Sequence, residues 1–443
     1  MSGSIDRRQF LKTTAAGGVG LGVAIRSAKA GVRYSANDTI TIAVMGVNSR
    51  GDALAESFAG QANAEVLYVC DVDSRAVEAT SATVNGVQGT MPKGVTDFRR
   101  ALDDADVDVL AIAAPDHWHA PATIMALQAG KHVYVEKPCG HNPREGELLV
   151  EAQKKYNRVV QMGTQQRSAP ETIEAVQMIW EGGIGRAYMA RTWYANTRGP
   201  IGYGKPASVP EWLDYELWQG PAPRKPYMDN VVHYNWHWFT HWGTGESCNN
   251  GTHEIDVARW ALGVDYPVRV NSNGGRYHFE DDWEFYDTQQ IAFDFEGDKT
   301  ITWEGRSCNG LPVLNRGRGT SVHGTEGTIV MDRNGYVVYD LDNNVVKEVE
   351  AGASEATMDT TGGGSMTDRH IANFLNTIRN QDELNAPIDV GHKSVLLCHL
   401  GNIAQATGRT VYCDQRNGHI VGDPQAMQRY WGRSYEPGWE LTV

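Results

Sequence analysis

Lys137 stands between Glu136 and Pro138, a setting that leaves its side chain little freedom. An amine beside a carboxylate at the end of an apolar strand is partly desolvated. That favours its neutral form and makes it a base for a hydroxyl proton, or a hydrogen-bond donor to a developing alkoxide. The alternative is a surface lysine laid along apolar neighbours, and the Glu-Lys-Pro context after a strand favours the chemical role. His253 is the second candidate, in Gly251-Thr252-His253-Glu254-Ile255-Asp256. An imidazole moves protons near neutral pH. Asn249, four positions earlier, shares its face on a helical turn and can orient a substrate or the ring. Neighbouring glycines let a ligand come close to backbone, which sets this histidine apart from one that only fills a core.

Such groups need elements to hold them. The pattern predicts a strand over Ile40–Met45, the loop Gly46-Val47-Asn48-Ser49-Arg50-Gly51, a helix over Asp52–Phe58 and a strand over Ala64–Cys70 that ends at Asp71. This is a βαβ unit of dinucleotide-binding type. Its first glycine makes the tight turn, its middle position faces a pyrophosphate and its third allows close helix packing. Asn48 holds the middle position, and Asn tolerates left-handed backbone better than other non-glycine residues. Asp71 can accept both ribose hydroxyls and would repel a 2′-phosphate, so NAD is expected, while Arg75 leaves NADP open.

The unit repeats with a strand over 107–114 ending in Pro115-Asp116-His117-Trp118-His119, a helix through Leu127 and a strand over His132–Val135 ending in Glu136-Lys137-Pro138. A helix over Arg144–Tyr156 and a strand over Val159–Met162 follow, and ligands gather at the carboxyl ends of such strands. The cofactor set expected from this layout is Gly46, Asn48, Ser49, Arg50, Gly51, Asp71, Pro115, His119, Glu136, Lys137 and Gln165. For the substrate it is Lys137, Trp118, Asn249, His253 and Arg167, the last with a solvated surface role as its alternative. Segment 233–242 holds three His and three Trp. Its spacing is not that of zinc or iron ligands, so no metal is expected and the segment reads as the wall of a sugar pocket.

Composition sets outer limits. The chain has 443 residues, 41% of them hydrophobic, and a formal net charge of −14. That is enough for a large core and two domains, with a surface that repels nucleic acid and anionic lipid. Residues 1–30 carry Arg7-Arg8, a glycine-diluted apolar run and Ala28-Lys29-Ala30, resembling a twin-arginine export signal with a small-x-small cleavage site. The run is too short to span a bilayer at about 20 residues, so a periplasmic or otherwise exported protein without a membrane anchor after cleavage is expected. The six cysteines show no Cys-x-x-Cys pair and read as buried thiols, one disulfide staying open for an exported chain.

The order of the glycine loop, Glu136-Lys137-Pro138 and Gly251-Thr252-His253-Glu254-Ile255-Asp256 resembles the glucose-fructose oxidoreductase, inositol dehydrogenase and MocA (Gfo/Idh/MocA) family. Trp218-Gln219-Gly220-Pro221-Ala222-Pro223, Gly324-Thr325-Glu326-Gly327 and a helical part near 370–407 add to the match. The resemblance implies an α/β chain with a Rossmann doubly wound parallel sheet over 31–165 and, over 166–443, an α/β domain whose large, mostly antiparallel sheet forms the pocket and oligomer contacts. It implies hydride exchange between a tightly held nicotinamide nucleotide and a sugar, polyol or glycoside, with Lys137 and His253 at the reacting carbinol, in a homo-dimer or tetramer. The family has aspartate where Asn249 stands, and an amide neither holds charge nor takes up a proton, so Asn249 is assigned to positioning. Two rivals remain: a redox-neutral glycosidase that oxidises, eliminates and reduces with the same Lys137 and cofactor, and a sugar-binding sensor without catalysis, against which Lys137 and His253 argue.

Overall fold

The computed structural model describes residues 38–351 and 364–443, so the leader at residues 1–30 lies outside the described residues. The first sheet is made of β1 (Ile40–Met45), β2 (Ala64–Cys70), β3 (Lys93–Val95), β4 (Val109–Ile112), β5 (His132–Val135) and β6 (Val160–Met162). All its pairings are parallel, in the order β3-β2-β1-β4-β5-β6. The order reverses between β1 and β4, which opens a crevice at their carboxyl ends. β1 and β4 are almost wholly buried, as strands covered by helices on both faces must be.

Those helices are α1 (Arg50–Ala59), α2 (Ser74–Gln88), the single turn α3 (Arg99–Leu102), α4 (Asp116–Gln128) and α5 (Pro143–Tyr156). Their ends follow local chemistry. Asp73 caps α2 by accepting from the Arg75 amide, and Asn142 caps α5 by accepting from the Glu145 amide, with Pro143 in its first turn. Two expectations shift here. The strand expected over 107–114 is only four residues long, and Asp116 to His119, expected in a loop, form the first turn of α4. Pro115 ends the extended segment with φ −58° and ψ 153°, and Asp116 meets the positive helix end. Strand β3 was not expected: it is a three-residue edge strand with no apolar run to mark it.

Beyond a short 3₁₀ turn at Gln165–Ser168 come α6 (Pro170–Trp180), β7 (Ala187–Ala195), α7 (Tyr215–Gln219), α8 (Gly245–Asn249) and α9 (Gly251–Leu262). Seven strands follow: β8 (Arg269–Gly275), β9 (Thr288–Phe295), β10 (Lys299–Arg306), β11 (Arg318–Gly324), β12 (Thr328–Asp332), β13 (Gly335–Tyr339) and β14 (Val345–Glu350). The chain closes with α10 (Ser365–Ile378), α11 (Ile388–Thr407), β15 (Val411–Cys413), β16 (Ile420–Val421) and α12 (Pro424–Tyr430). The second sheet has ten strands in the order β14-β13-β12-β11-β7-β10-β9-β8-β15-β16. Only β7 with β10 is a parallel pair.

Alternation along β9 and β10 turns Ile291, Phe293, Phe295, Ile301 and Trp303 onto one face, where they pack in one core with residues of α9 and α11. α9 lies very close to this sheet. A Cβ at Gly251 would sit 2.9 Å from the Trp303 ring. The two sheets belong to one compact unit, Thr39–Val443. Their junction is hydrogen-bonded: Gln161 Nε2 donates to the His370 carbonyl at 2.8 Å, and the Met162 amide to that of Ala386 at 3.0 Å. All six cysteines are free thiols, five of them buried, so the open question of a disulfide is answered with no bridge. No helix among the described residues is long and apolar enough to cross a membrane.

Candidate active site

At the switch point the glycine turn is dictated by contact. Gly46 has φ +81°, and a Cβ there would lie 2.4 Å from the Ala114 amide nitrogen at the end of β4. A Cβ at Gly51 would lie 1.9 Å from the Gly46 carbonyl oxygen. Asn48 is not among the residues of positive φ, so the middle position needs no left-handed backbone and tolerates a side chain. Ser49 gives α1 no side-chain cap, which leaves amides at that helix end for an anion. Asp71 Oδ2 accepts from the Val47 amide at 2.6 Å and Oδ1 from the Asp73 amide at 2.9 Å. Burial raises the Asp71 pKa, and these two bonds oppose the rise. The acid is thus fixed at the end of β2, beside the turn.

One cavity of about 540 Å³ runs from Gly46, Asn48, Ser49, Arg50 and Asp71 past Pro115, Trp118, His119, Glu136, Lys137 and Gln165 to Asn249 and His253. Those residues, drawn from segments far apart in the chain, are brought together as expected from sequence. Gly51 serves from behind, as the close contact under the turn. Glu136 is the hub of the floor: Oε1 accepts from Arg50 Nε at 2.9 Å and Gln165 Nε2 at 2.9 Å. A Cβ at Gly163 would fall 2.7 Å from the Glu136 carboxyl carbon. His119 spans two strand ends, with Nδ1 2.6 Å from the Pro138 carbonyl oxygen and Nε2 2.7 Å from that of Ala114. Trp118 is a wall whose indole N–H is already given to the Trp218 carbonyl at 3.0 Å.

Lys137 Nζ donates to Asn249 Oδ1 at 3.2 Å. Burial lowers its pKa from the ordinary lysine value; Glu136 and Asp116 pull it back up, and Arg50 and Arg318 add to the fall. The Asp116 carboxyl, itself raised by burial, accepts from Thr244 Oγ1 at 2.5 Å. His253 Nε2 is buried with no hydrogen-bond partner among the described residues. Burial first, then the charges of Arg333, Lys137, Arg318 and Arg50, hold its pKa well below the usual histidine value. That favours the neutral ring, and a buried nitrogen without a partner calls for a hydrogen-bonding group. Asn249 and His253 do not lie on one continuous helix as the spacing implied. Asn249 ends α8 and His253 lies in the first turn of α9, after a break at Asn250, yet both face the cavity.

Arg167 is a correction. It is not in the cavity wall. Its guanidinium is bidentate on Asp256, at 2.7 and 2.9 Å, and both side chains are buried. It ties the turn after β6 to α9, the helix that carries His253.

Sequence reasoning missed much of the far wall: Tyr194, Arg198, Asn250 and Arg318. Arg198 is paired with Glu246 at 2.9 Å and Arg318 with Glu254 at 2.7 Å. No local motif marks them, because only strand order places β7 and β11 beside α9. The histidine- and tryptophan-rich segment was flagged, and His233, Trp236 and His237 do line the cavity. Among the described residues no group of three or more His, Cys, Asp or Glu is arranged to hold a metal ion.

A nucleotide-type sheet that shares its crevice with the wall of a second, mixed sheet is the arrangement of NAD-binding oxidoreductases. The chain belongs to the Gfo/Idh/MocA oxidoreductase family. Residues 40–164 match its NAD-binding Rossmann fold and residues 191–329 its C-terminal alpha/beta domain. Curated relatives include a glycosyl hydrolase family 109 protein of Saccharopolyspora erythraea, 29% identical over 52% of this chain and 56% of that one. Another is a levoglucosan dehydrogenase of Pseudarthrobacter phenanthrenivorans, 34% identical over 24% of this chain and 29% of that one. The chain thus matches little more than half the length of the first and under a third of the second. In fold it is similar to a levoglucosan dehydrogenase solved with NADH and levoglucosan (TM-score 0.66, 20% identity, 85% of this chain and 99% of that one).

Proposed function

We propose that this protein transfers hydride between a tightly held NAD and a hydroxyl or ketone of a sugar, polyol or glycoside. The observation that carries the reading is that His253, whose buried Nε2 has no partner among the described residues, lines the same cavity as Lys137 and the glycine turn. The residues present fit the cofactor: the amides at the start of α1 suit its pyrophosphate, and Asp71 its ribose hydroxyls. NAD rather than NADP is supported by Arg75, whose guanidinium is bidentate on Asp73 and lies 3.5 Å over the Trp212 ring, already engaged.

When bound, the nicotinamide supplies an acceptor or donor of hydride. The chain's own residues handle the oxygen. His253 accepts from a neighbouring hydroxyl of the substrate and so orients the reacting one, whose hydrogen points to Lys137. With its basicity suppressed by burial and the nearby cationic side chains, the imidazole does not take the proton. Lys137, whose pKa is lowered but which faces two carboxylates, takes the proton at Nζ during oxidation and returns it during reduction. Asn249 Oδ1 holds Nζ in place and adds no charge.

The test is to denature the purified protein, identify the nucleotide released, and follow absorbance at 340 nm as sugars and polyols are added to native protein. Stoichiometric NAD(H) and a sugar-dependent change are expected. Protein empty of nucleotide would remove the tight-binding part, and silence toward every sugar would overturn the reading. The family 109 relative favours a second reading, a redox-neutral glycosidase; NAD-dependent release of nitrophenol from aryl glycosides with no net change at 340 nm would select it. Export by the leader at residues 1–30, and assembly as a dimer or tetramer through the ten-stranded sheet, complete the proposal; signal cleavage in the periplasmic fraction and light scattering check them.

A further inference from the structure

His237 lines the cavity but has no part in the proton handling above. Its Nδ1 lies 2.6 Å from the Tyr234 carbonyl oxygen. A carbonyl only accepts, so Nδ1 carries the hydrogen and Nε2 the lone pair. The ring stacks on Trp236, centroids 3.5 Å apart and planes at 20°, which fixes its edge. Burial, with Lys137 and Arg198 adding to it against the Tyr234 bond, holds the pKa well below the usual value, so Nε2 remains an acceptor. That nitrogen has no hydrogen-bond partner among the described residues.

The charges around it point the same way. Each arginine lining the cavity is matched by a carboxylate: Arg50 by Glu136, Arg198 by Glu246 and Arg318 by Glu254. Asp71 and Asp116 add further acid to the walls, and Lys137 is engaged at the reacting oxygen. An anionic group on a substrate would find no unmatched guanidinium in the cavity wall, since Arg333, which has no ion pair among the described residues, lies outside that lining, and at His237 its oxygen lone pairs would oppose that of nitrogen.

Building on the sugar-oxidoreductase reading, we infer that the site selects a neutral polyol, in which a hydroxyl other than the one oxidised donates to His237 Nε2, and that carboxylated or phosphorylated sugars are rejected. The experiment is calorimetric binding to the NAD-loaded protein, run beside the 340 nm assay. The probes are myo-inositol, levoglucosan, D-glucose and its single-position deoxy forms, D-glucuronate and glucose 6-phosphate. The bound neutral sugar should bind about tenfold or more tightly than the anions, and His237→Phe, which keeps an aromatic ring on Trp236, should weaken it by about tenfold. His237→Gln, which restores an acceptor, should recover most of that loss. One deoxy form should bind the wild type and His237→Phe equally, because it lacks the donor. Anions binding as well as D-glucose, His237→Phe without effect, an equal loss across the whole deoxy series, or no binding by any neutral probe would each overturn the inference. The expected binding pattern without any change at 340 nm would sustain this inference while overturning hydride transfer. Turnover of glucuronate as fast as D-glucose would do the reverse.

Discussion

The two ends of the cavity are built by different means. At the nucleotide end, backbone does the holding: a turn that admits no Cβ at Gly46, an uncapped helix start and an acid pinned by two amides. At the end proposed to take the sugar, side chains from β7, α8, α9 and β11 converge, each arginine fixed by a buried acid. A backbone site is specified by short-range sequence and tolerates little change. A side-chain site is specified by topology and can be altered one contact at a time.

That contrast makes changes at the nucleotide end all-or-none and those at the sugar end graded. The largest effect is expected for Gly46→Ala, where φ +81° and the Ala114 backbone leave no room; cofactor should be lost on purification, and retention of a full complement of nucleotide would contradict the account. Next is Lys137→Ala. Nucleotide content should be unchanged while kcat for sugar oxidation falls by about 10²–10⁴, and normal turnover would remove Lys137 from the mechanism. Arg167→Ala should leave KM unchanged but cost about 3–5 kcal/mol in chemical unfolding, because it strands the buried Asp256 carboxylate. A raised KM with unaltered stability would return Arg167 to the substrate.

The smallest effect sharpens the sugar end. Because burial lowers the Lys137 pKa, oxidation should rise with pH through a value below that of free lysine, as the amine loses its proton. In Asn249→Asp a carboxylate would face Nζ and favour its charged form, so that rise should move to higher pH by about 1–2 units. An unmoved pH profile would mean that another group takes the proton.

How much was legible in the sequence follows the same division. Gly46, Asp71, Glu136 and Lys137 stand at strand ends within one repeating unit, where spacing alone gives position. His253 was found because glycines surround it. Arg198 and Arg318 carry no such mark, since Arg318 takes its place by β11 pairing with β7 across more than a hundred residues of chain and Arg198 lies in the segment just after β7. Arg167 misled because a basic residue just after a strand end has the address of a ligand contact, while its partner Asp256 is visible only once α9 is docked. The break between α8 and α9 at Asn250 was hidden by a spacing that a single helix would also satisfy.

The imidazole of His119, seated between the carbonyls of Ala114 and Pro138, has a consequence of its own. One of those carbonyls borders the seat of the nucleotide and the other follows the amine that works on the sugar. The ring acts as a rivet between coenzyme alignment and proton handling, so tilting either strand end drags the other with it. On the proposed reading, the distance between nicotinamide and sugar depends on this one side chain in the cavity wall.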